Sequence, residues 1–366
     1  MENKKTPVIM LSGYYGFENA GDEAILASIT EQLHERLPGC RIIVLSQNPA
    51  ATSVRYGTEA CTRTDYKQIF KLMGGIDVFV SGGGGLVQDA TGFNSVLYYL
   101  GLVQLAKLRG KKTMLYAHGL GPLNNKKSRI VASFIMNQVD LITYRDENSK
   151  KLSDEIGIKK PKIRVTADPV FALKPESREK MEPVLKELDI APGRFKIGIS
   201  ARPWVTRVNY TEMIAELADR YHEEKQADIF LFPFQKSMDL SVCKQIQEKM
   251  KYSATLIDKD YTIKQVMALL GEMDAVIGMR LHALIFSAIQ GVPCTGVSYD
   301  PKVTSLMEML GLKTVNVMQM KKEELFEAAD YTITNSCKIR AELPSRTRIM
   351  KEKAELNTQL LIDLIN

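Results

Sequence analysis

"VIMLSGYYGFENAGDEAILASITEQLHERL", Val8 to Leu37, decides the fold. An apolar run leads into a loop carrying Gly13, Gly16 and Gly21. Ile25, Ile29, Leu33 and Leu37 then recur at helical spacing, with Asp22 and Glu23 at the end where a helix dipole favours acids. This is a strand, a glycine turn and a helix, the repeating unit of parallel α/β sheets.

The same alternation continues outward from it. "RIIVL", "DVFVSG", "TMLYAHG", "DLITYR" and "IRVTAD" read as further strands of a first half. A charged, proline-containing segment, "KPESREKMEPVLKELDIAPG" (174–193), interrupts the pattern and reads as a linker. Beyond it "KIGISARPW", "ADIFLFPF", "ATLID", "DAVIGM" and "PCTGVSY" restart the strands, and "SRTRIMKEKAELNTQLLIDLIN" reads as part of a long helix. The expected organisation is a Rossmann-like domain at 1–173, a linker at 174–193, a second Rossmann-like domain at 194–335, and a C-terminal helix at 336–366 that packs back across the boundary. Two such domains facing a cleft would turn the carboxyl ends of both sheets toward one ligand.

The chain has 366 residues, enough for two cores, and 45% of them are hydrophobic. Its net charge of +6 suits an anionic small molecule or membrane surface, and equally an ordinary soluble enzyme. Five scattered cysteines form no CxxC or Cys/His cluster, which points to a reducing compartment without structural zinc. The N-terminal apolar run is too short for a signal-peptide core, and no stretch reaches the roughly 18 apolar residues of a membrane span. A cytoplasmic protein is expected, with no nucleic-acid partner; an oligomer is compatible with the sequence.

Several segments have the residue types of a ligand site. Gly13, Gly16 and Gly21 do not spell the dinucleotide fingerprint, and the second strand ends in "LSQNP" without a ribose-binding carboxylate, which argues against NAD. Asn19 and Asp22 either accept hydrogen bonds from sugar hydroxyls or cap the helix. "SGGGGLVQD" (81–89) places Gly83 and Gly84 where backbone can approach a ligand closely, with Gln88 and Asp89 following. "ITYRDENS" sets Arg145 beside Asp146, and "ISARPW" sets Arg202 just before Trp204, the single tryptophan. His118, in "YAHGLGP", is a second-rank candidate; His34 and His222 read as solvated on polar helix faces.

"GMRLHALIF" (278–286) places Arg280 and His282 in an apolar run that contains no acid, so the expected partner of the buried guanidinium is a ligand. "GVSYDPKV" adds Lys302 one strand-helix unit later. Two fixed cations and a group that titrates near neutrality suit a small molecule bearing both carboxylate and phosphate.

In their order and spacing, "GYYGFENAGDEAIL", "GGGGLVQD", "GMRLHALIFS" and "SYDPKV" resemble the polysaccharide pyruvyl transferase family, in particular the CsaB-type enzymes that add ketal pyruvate to a secondary cell-wall polymer. The resemblance implies a glycosyltransferase-B-like fold and phosphoenolpyruvate as donor. It also implies an acceptor saccharide that contains N-acetylmannosamine and is linked to a lipid pyrophosphate. For that chemistry we read His282 as general acid/base, Lys302 as the phosphate contact, and Arg280, with Arg145 or Arg202, as the contacts to the donor's anions. Asn19, Asp22, Gly83, Gly84, Asp89 and Trp204 fall on the acceptor side. No metal or other cofactor is required. A lipid-linked acceptor would bring the protein to the inner membrane surface, held by the basic run "SRTRIMKEK" (345–353). Two rivals remain open at this level: a nucleotide-sugar glycosyltransferase on the same fold, and a non-catalytic sensor of anionic glycans.

Overall fold

The computed structural model describes residues 6–90 and 92–366. The chain divides into two compact units, one made of 1–173 with 350–366 and the other of 174–349.

The first unit holds strands β1 (Val8–Ser12), β2 (Arg41–Ser46), β3 (Glu59–Thr62), β4 (Val78–Ser81), β5 (Gly84–Val87), β6 (Lys112–Leu120), β7 (Leu141–Tyr144) and β8 (Lys162–Val165). They form a parallel sheet in the order β3-β2-β1-β4-β6-β7-β8, with β5 paired to β6. The second unit holds β9 (Lys196–Ser200), β10 (Asp228–Leu231), β11 (Thr255–Leu256), β12 (Ala275–Gly278), β13 (Cys294–Ser298) and β14 (Thr314–Asn316), in the order β11-β10-β9-β12-β13-β14. Both orders run outward in two directions from the first strand, as in a Rossmann sheet. The direction reverses between β1 and β4 in one unit and between β9 and β12 in the other.

The strands are buried because they carry unbroken apolar runs that helices cover on both faces: β1, β4, β9 and β12 have no exposed residue. Helix Ala20–Arg36 departs from the amphipathic pattern. It is buried almost all round, since the C-terminal helix also covers it. Thr358 donates to Gln32 Oε1 at 3.0 Å, and Arg36 donates to the Glu355 carbonyl at 2.9 Å.

Segment 174–193 is not an open linker. Residues Arg178–Glu187 form a helix that buries Met181 and Leu185, and the Glu176 N–H donates to the Lys264 carbonyl, so the segment is built into the second unit. The C-terminal helix spans Ser336–Ile365, its first part belonging to the second unit and residues from Met350 to the first. The basic run at 345–353 lies on this helix and is partly neutralised locally. Arg346 is bound to the Leu310 carbonyl and Glu342, and Lys351 pairs with Glu355. No helix among the described residues is long and apolar enough to cross a membrane.

Candidate functional site

In the second unit, the register aligns Gly278 of β12 with Ser200 of β9 on one side and Gly296 of β13 on the other. The residues following these three strands therefore share one sheet edge, at the topological switch point. They are Arg202 after β9, Arg280 and His282 after β12, and Tyr299, Asp300 and Lys302 after β13. Arg202, Arg280, His282 and Lys302 are among the donor contacts expected from the sequence; Tyr299 and Asp300 were not singled out there, and Arg145, expected with them, belongs to the first unit.

Arg280 departs from expectation. Its partner is Asp239, from helix Lys236–Lys249, a carboxylate with no exposed side-chain surface. Nε donates to Oδ2 at 2.9 Å and Nη2 to Oδ1 at 2.5 Å, a fork-to-fork pair, while Nη2 also reaches Gln235 Oε1 at 3.3 Å. Asp239 lies 41 residues earlier in the chain, which is why the local run seemed to lack an acid. Nη1 alone makes no hydrogen bond within the described residues, and it is what the guanidinium has left for a ligand. Arg280 also occupies the N-cap position of helix Leu281–Ile289 without capping it through its side chain, and His282, half-buried, sits in that helix's first turn.

Arg202 has no carboxylate partner among the described residues. Its guanidinium lies over Tyr299 at 4.5 Å and Trp204 at 5.4 Å from the ring centroids, and its Nε is buried without a hydrogen bond. Trp204 and Tyr299 contact each other at 4.7 Å between centroids, and Trp204 donates through Nε1 to Met318 Sδ. Lys302 is half-exposed, with Nζ 3.3 Å from Asp300 Oδ2. This edge is a cationic and aromatic surface fit for a small anion.

In the first unit, Arg145 is a buried structural cation rather than an exposed one. Its Nη1 donates to Asp168 at 2.9 Å, Nε lies 3.7 Å from Asp146, and the guanidinium crosses Gly119, where a Cβ would fall 2.9 Å from Nε. The glycine run has a packing cause as well. A Cβ on Gly82 would lie 2.0 Å from the Tyr15 hydroxyl, and Gly13 is equally crowded by the Tyr15 ring. Tyr15, fully buried, thus fills the space beside the ends of β1 and β4 that the sequence reading gave to a ligand. Gly83 is closed off by Ile25 and Pro169, whereas Gly84, with φ +99°, faces Asp22.

Of the polar side chains expected on the acceptor side, Asn19, Asp22 and Asp89, the first caps helix Ala20–Arg36 by accepting from the Gly21 N–H at 3.1 Å. Asp89 braces a loop. Burial works against its ionisation, but the N–H groups of Asn124 and Asn125, at 2.9 and 2.8 Å, hold its carboxyl below the usual range, which makes it a poor base. Asp22 sits half-buried beside Gly84 and close enough to Tyr14, Tyr15 and Tyr99 to raise their phenol pKa values, with burial the larger cause in each.

Sequence reasoning missed a second cationic and aromatic cluster here. Arg63 stacks on Tyr98 at 4.3 Å and Phe17 at 4.9 Å from the ring centroids, and Phe17 stacks on Tyr14 at 4.0 Å. It also missed Glu23, buried, which accepts from the Gly16 N–H at 2.7 Å and from the Tyr56 hydroxyl, fixing the loop that carries Tyr14 and Phe17. "GYYGF" was visible as a signal; nothing around Arg63 marked it.

The remaining histidines are structural or solvated. His34 is exposed, while His222 is half-buried, bonded to the Ala227 carbonyl and stacked on Tyr252. His118 has no exposed surface. Its Nε2 faces the Ser81 carbonyl at 3.2 Å and so carries the proton, leaving Nδ1 buried without a partner. Burial, then Arg145, pushes its pKa down to about 4, against the hydrogen bond to Ser81. The unfolded chain takes up a proton as pH falls through about 6.5, while the folded one resists until about 4. Stability is therefore full above that window and declines through it, by on the order of 3 kcal/mol. His118→Gln should flatten the slope of unfolding free energy against pH between 6.5 and 4, and an unchanged slope would assign it to other groups.

The described residues contain no group of three or more His, Cys, Asp or Glu arranged to hold a metal. The fold is similar to that of a UDP-GlcNAc 2-epimerase from Methanocaldococcus jannaschii (TM-score 0.70, 14% identity, 98% of this chain and 100% of that one). It is also similar to HepE of Anabaena in complex with UDP and glucose (TM-score 0.66, 11% identity, 97% and 98%). These likenesses show two Rossmann-like units of the glycosyltransferase-B type. In sequence, the chain is 22% identical over 236 residues to the amylovoran biosynthesis protein AmsJ of Erwinia amylovora, matching 57% of this chain and 54% of that protein, so it spans about half the length of that curated relative. The polysaccharide pyruvyl transferase profile matches residues 19–301, most of the chain, and the chain belongs to that family.

Proposed function

We propose that the protein transfers pyruvate as a ketal from phosphoenolpyruvate to a saccharide carried on a lipid pyrophosphate, in the synthesis of a secondary cell-wall polymer. The observation that carries the reading is the convergence of Arg202, Arg280, His282 and Lys302 on one sheet edge, joined to the family membership. An N-acetylmannosamine-containing acceptor follows from the sequence resemblance.

The reaction joins two sugar hydroxyls to the central donor carbon and releases phosphate. One hydroxyl proton ends on the methylene carbon, which becomes methyl, and the other leaves with the phosphate. His282 is the group suited to hand on the proton. Lys302 provides a point charge for phosphate, and Arg202 takes the carboxylate, aided by Nη1 of Arg280. Arg145, already held by Asp168, acts at most by positioning. On the acceptor side Asp22 is the base that activates the attacking hydroxyl, since Asn19 is an amide and Asp89, its carboxyl held below the usual range by two backbone N–H groups, has little affinity for a proton. Tyr14, Phe17 and Arg63 offer a sugar ring and its anionic carrier a stacked surface.

A second reading, a UDP-sugar transferase, is favoured by the UDP held in a structural neighbour. Calorimetry decides between them: phosphoenolpyruvate is expected to bind and UDP-sugars are not. Phosphate release from phosphoenolpyruvate with a synthetic acceptor is the accompanying turnover assay. UDP-sugar binding with no binding of phosphoenolpyruvate overturns the pyruvyl transfer reading.

A further inference from the structure

Helices Phe93–Leu108 and Lys126–Met136 pack side by side on the first unit. Their inner faces are ordinary core: Val96, Leu100, Val103 and Ala106 on one, Ala132, Ile135 and Met136 on the other. Their outer faces are not what solvent selects. Leu97 (42% exposed), Gly101 and Leu108 (75%) form one stripe, and Ile130 and Phe134 (both 68%) form another. The stripes lie edge to edge, because Gln104, between Gly101 and Leu108, donates to Gln138, one turn beyond Phe134, at 3.3 Å.

Neither helix contains a single Asp or Glu. At the N-terminal end of the second, Lys126, Lys127 and Arg129 are exposed and have no carboxylate partner among the described residues. That end is anchored by Asp89, which holds the N–H groups of Asn124 and Asn125 just before it. An apolar face on two helices that carry cations and no acid of their own, with Asp89 engaged by backbone N–H groups and Asp140 by Lys107 at its borders, marks a surface built to meet something else.

We propose that this face docks the protein on an anionic lipid bilayer. The cations meet headgroup phosphates, and Leu97, Leu108, Ile130 and Phe134 enter the boundary between headgroups and acyl chains. A second copy of the chain fits less well, since these two helices would bring it cations and no carboxylate of their own, and the bordering Asp89 and Asp140 are already engaged. The C-terminal basic run is the weaker anchor, with Arg346 and Lys351 already paired to acids on their own helix. The purpose of the docking rests on the lipid-linked acceptor proposed above; the docking itself does not.

The test is flotation of the full-length protein with phosphatidylglycerol-containing and with pure phosphatidylcholine vesicles, at low and high salt. Wild type is expected to float with the anionic vesicles and to be released by salt. Ile130→Ser with Phe134→Ser should lower the bound-to-free ratio about tenfold or more. Lys126→Gln with Lys127→Gln should remove most of the preference for the anionic lipid, and Arg348→Gln with Lys353→Gln should leave it within about twofold. Melting curves confirm that each variant is folded. Equal flotation of all variants, or no flotation of wild type, overturns the proposal. So does a dimer in light scattering that the serine pair disrupts while vesicle binding is absent. Turnover on a short soluble acceptor should be unchanged in the serine pair. Its absence in wild type would count against the functional reading and leave the flotation result standing.

Discussion

His282→Gln lowers turnover by about two to four orders of magnitude while phosphoenolpyruvate still binds within about threefold of wild type. Glutamine keeps much of the size and hydrogen bonding of the imidazole but cannot accept and return a proton. The residue lies in the first turn of helix Leu281–Ile289, at the edge of the core rather than in it, so the melting temperature should hardly move. Single-turnover kinetics, donor affinity and a melting curve on one preparation separate chemistry from folding. A variant that melts normally and turns over like wild type removes His282 from the mechanism.

Arg280→Ala produces the opposite signature. The substitution strands the Asp239 carboxylate, which has no exposed surface, in a site that no longer offers a cation, and breaking a buried pair from one side costs about 3–5 kcal/mol. For a unit of this size that is a fall in melting temperature of roughly 6–20 °C. Replacing both partners, Arg280→Met with Asp239→Leu, should recover much of the loss, because no charge is then left buried. Differential scanning calorimetry on the single and double variants checks this. If Arg280→Ala melts like wild type and only donor affinity falls, the ion pair is incidental and the guanidinium serves the ligand alone.

The contrast shows which features the sequence could disclose. Runs such as "VIML", "DVFVSG" and "DAVIGM" announce strands because both sides of a parallel strand are buried, and order follows from their alternation with helices. Strands β3, β5 and β14 were not legible. β3 and β14 are short edge strands with few fully buried residues, and β5 begins in the glycine run, where strand propensity is lowest. At the site, residues that end strands could be grouped, since strand adjacency brings their loops together. What those residues touch could not be read. Asp239 lies in the ordinary-looking helical stretch "KSMDLSVCKQ", and only the fold carries it beneath Arg280. Tyr15 is a similar case: its neighbours Gly13 and Gly82 advertise empty space, and its own ring fills it.

Residues 350–366 close a core begun at residue 8, with the whole of the second unit encoded between. Asn357 and Thr358, both without exposed surface, accept from Thr166 and Tyr116 or donate to Ala167 and Gln32, so the first unit's polar interior is completed by the last helix. A ribosome that has made residues 1–173 has therefore made an unfinished domain, with the buried Tyr116 hydroxyl lacking its Thr358 partner, Thr166 left with the Tyr144 carbonyl alone, and the flank of helix Ala20–Arg36 uncovered. The second unit, contiguous in sequence, can form while its neighbour waits. Synthesis order and completion order are thus reversed: the half begun first is finished last.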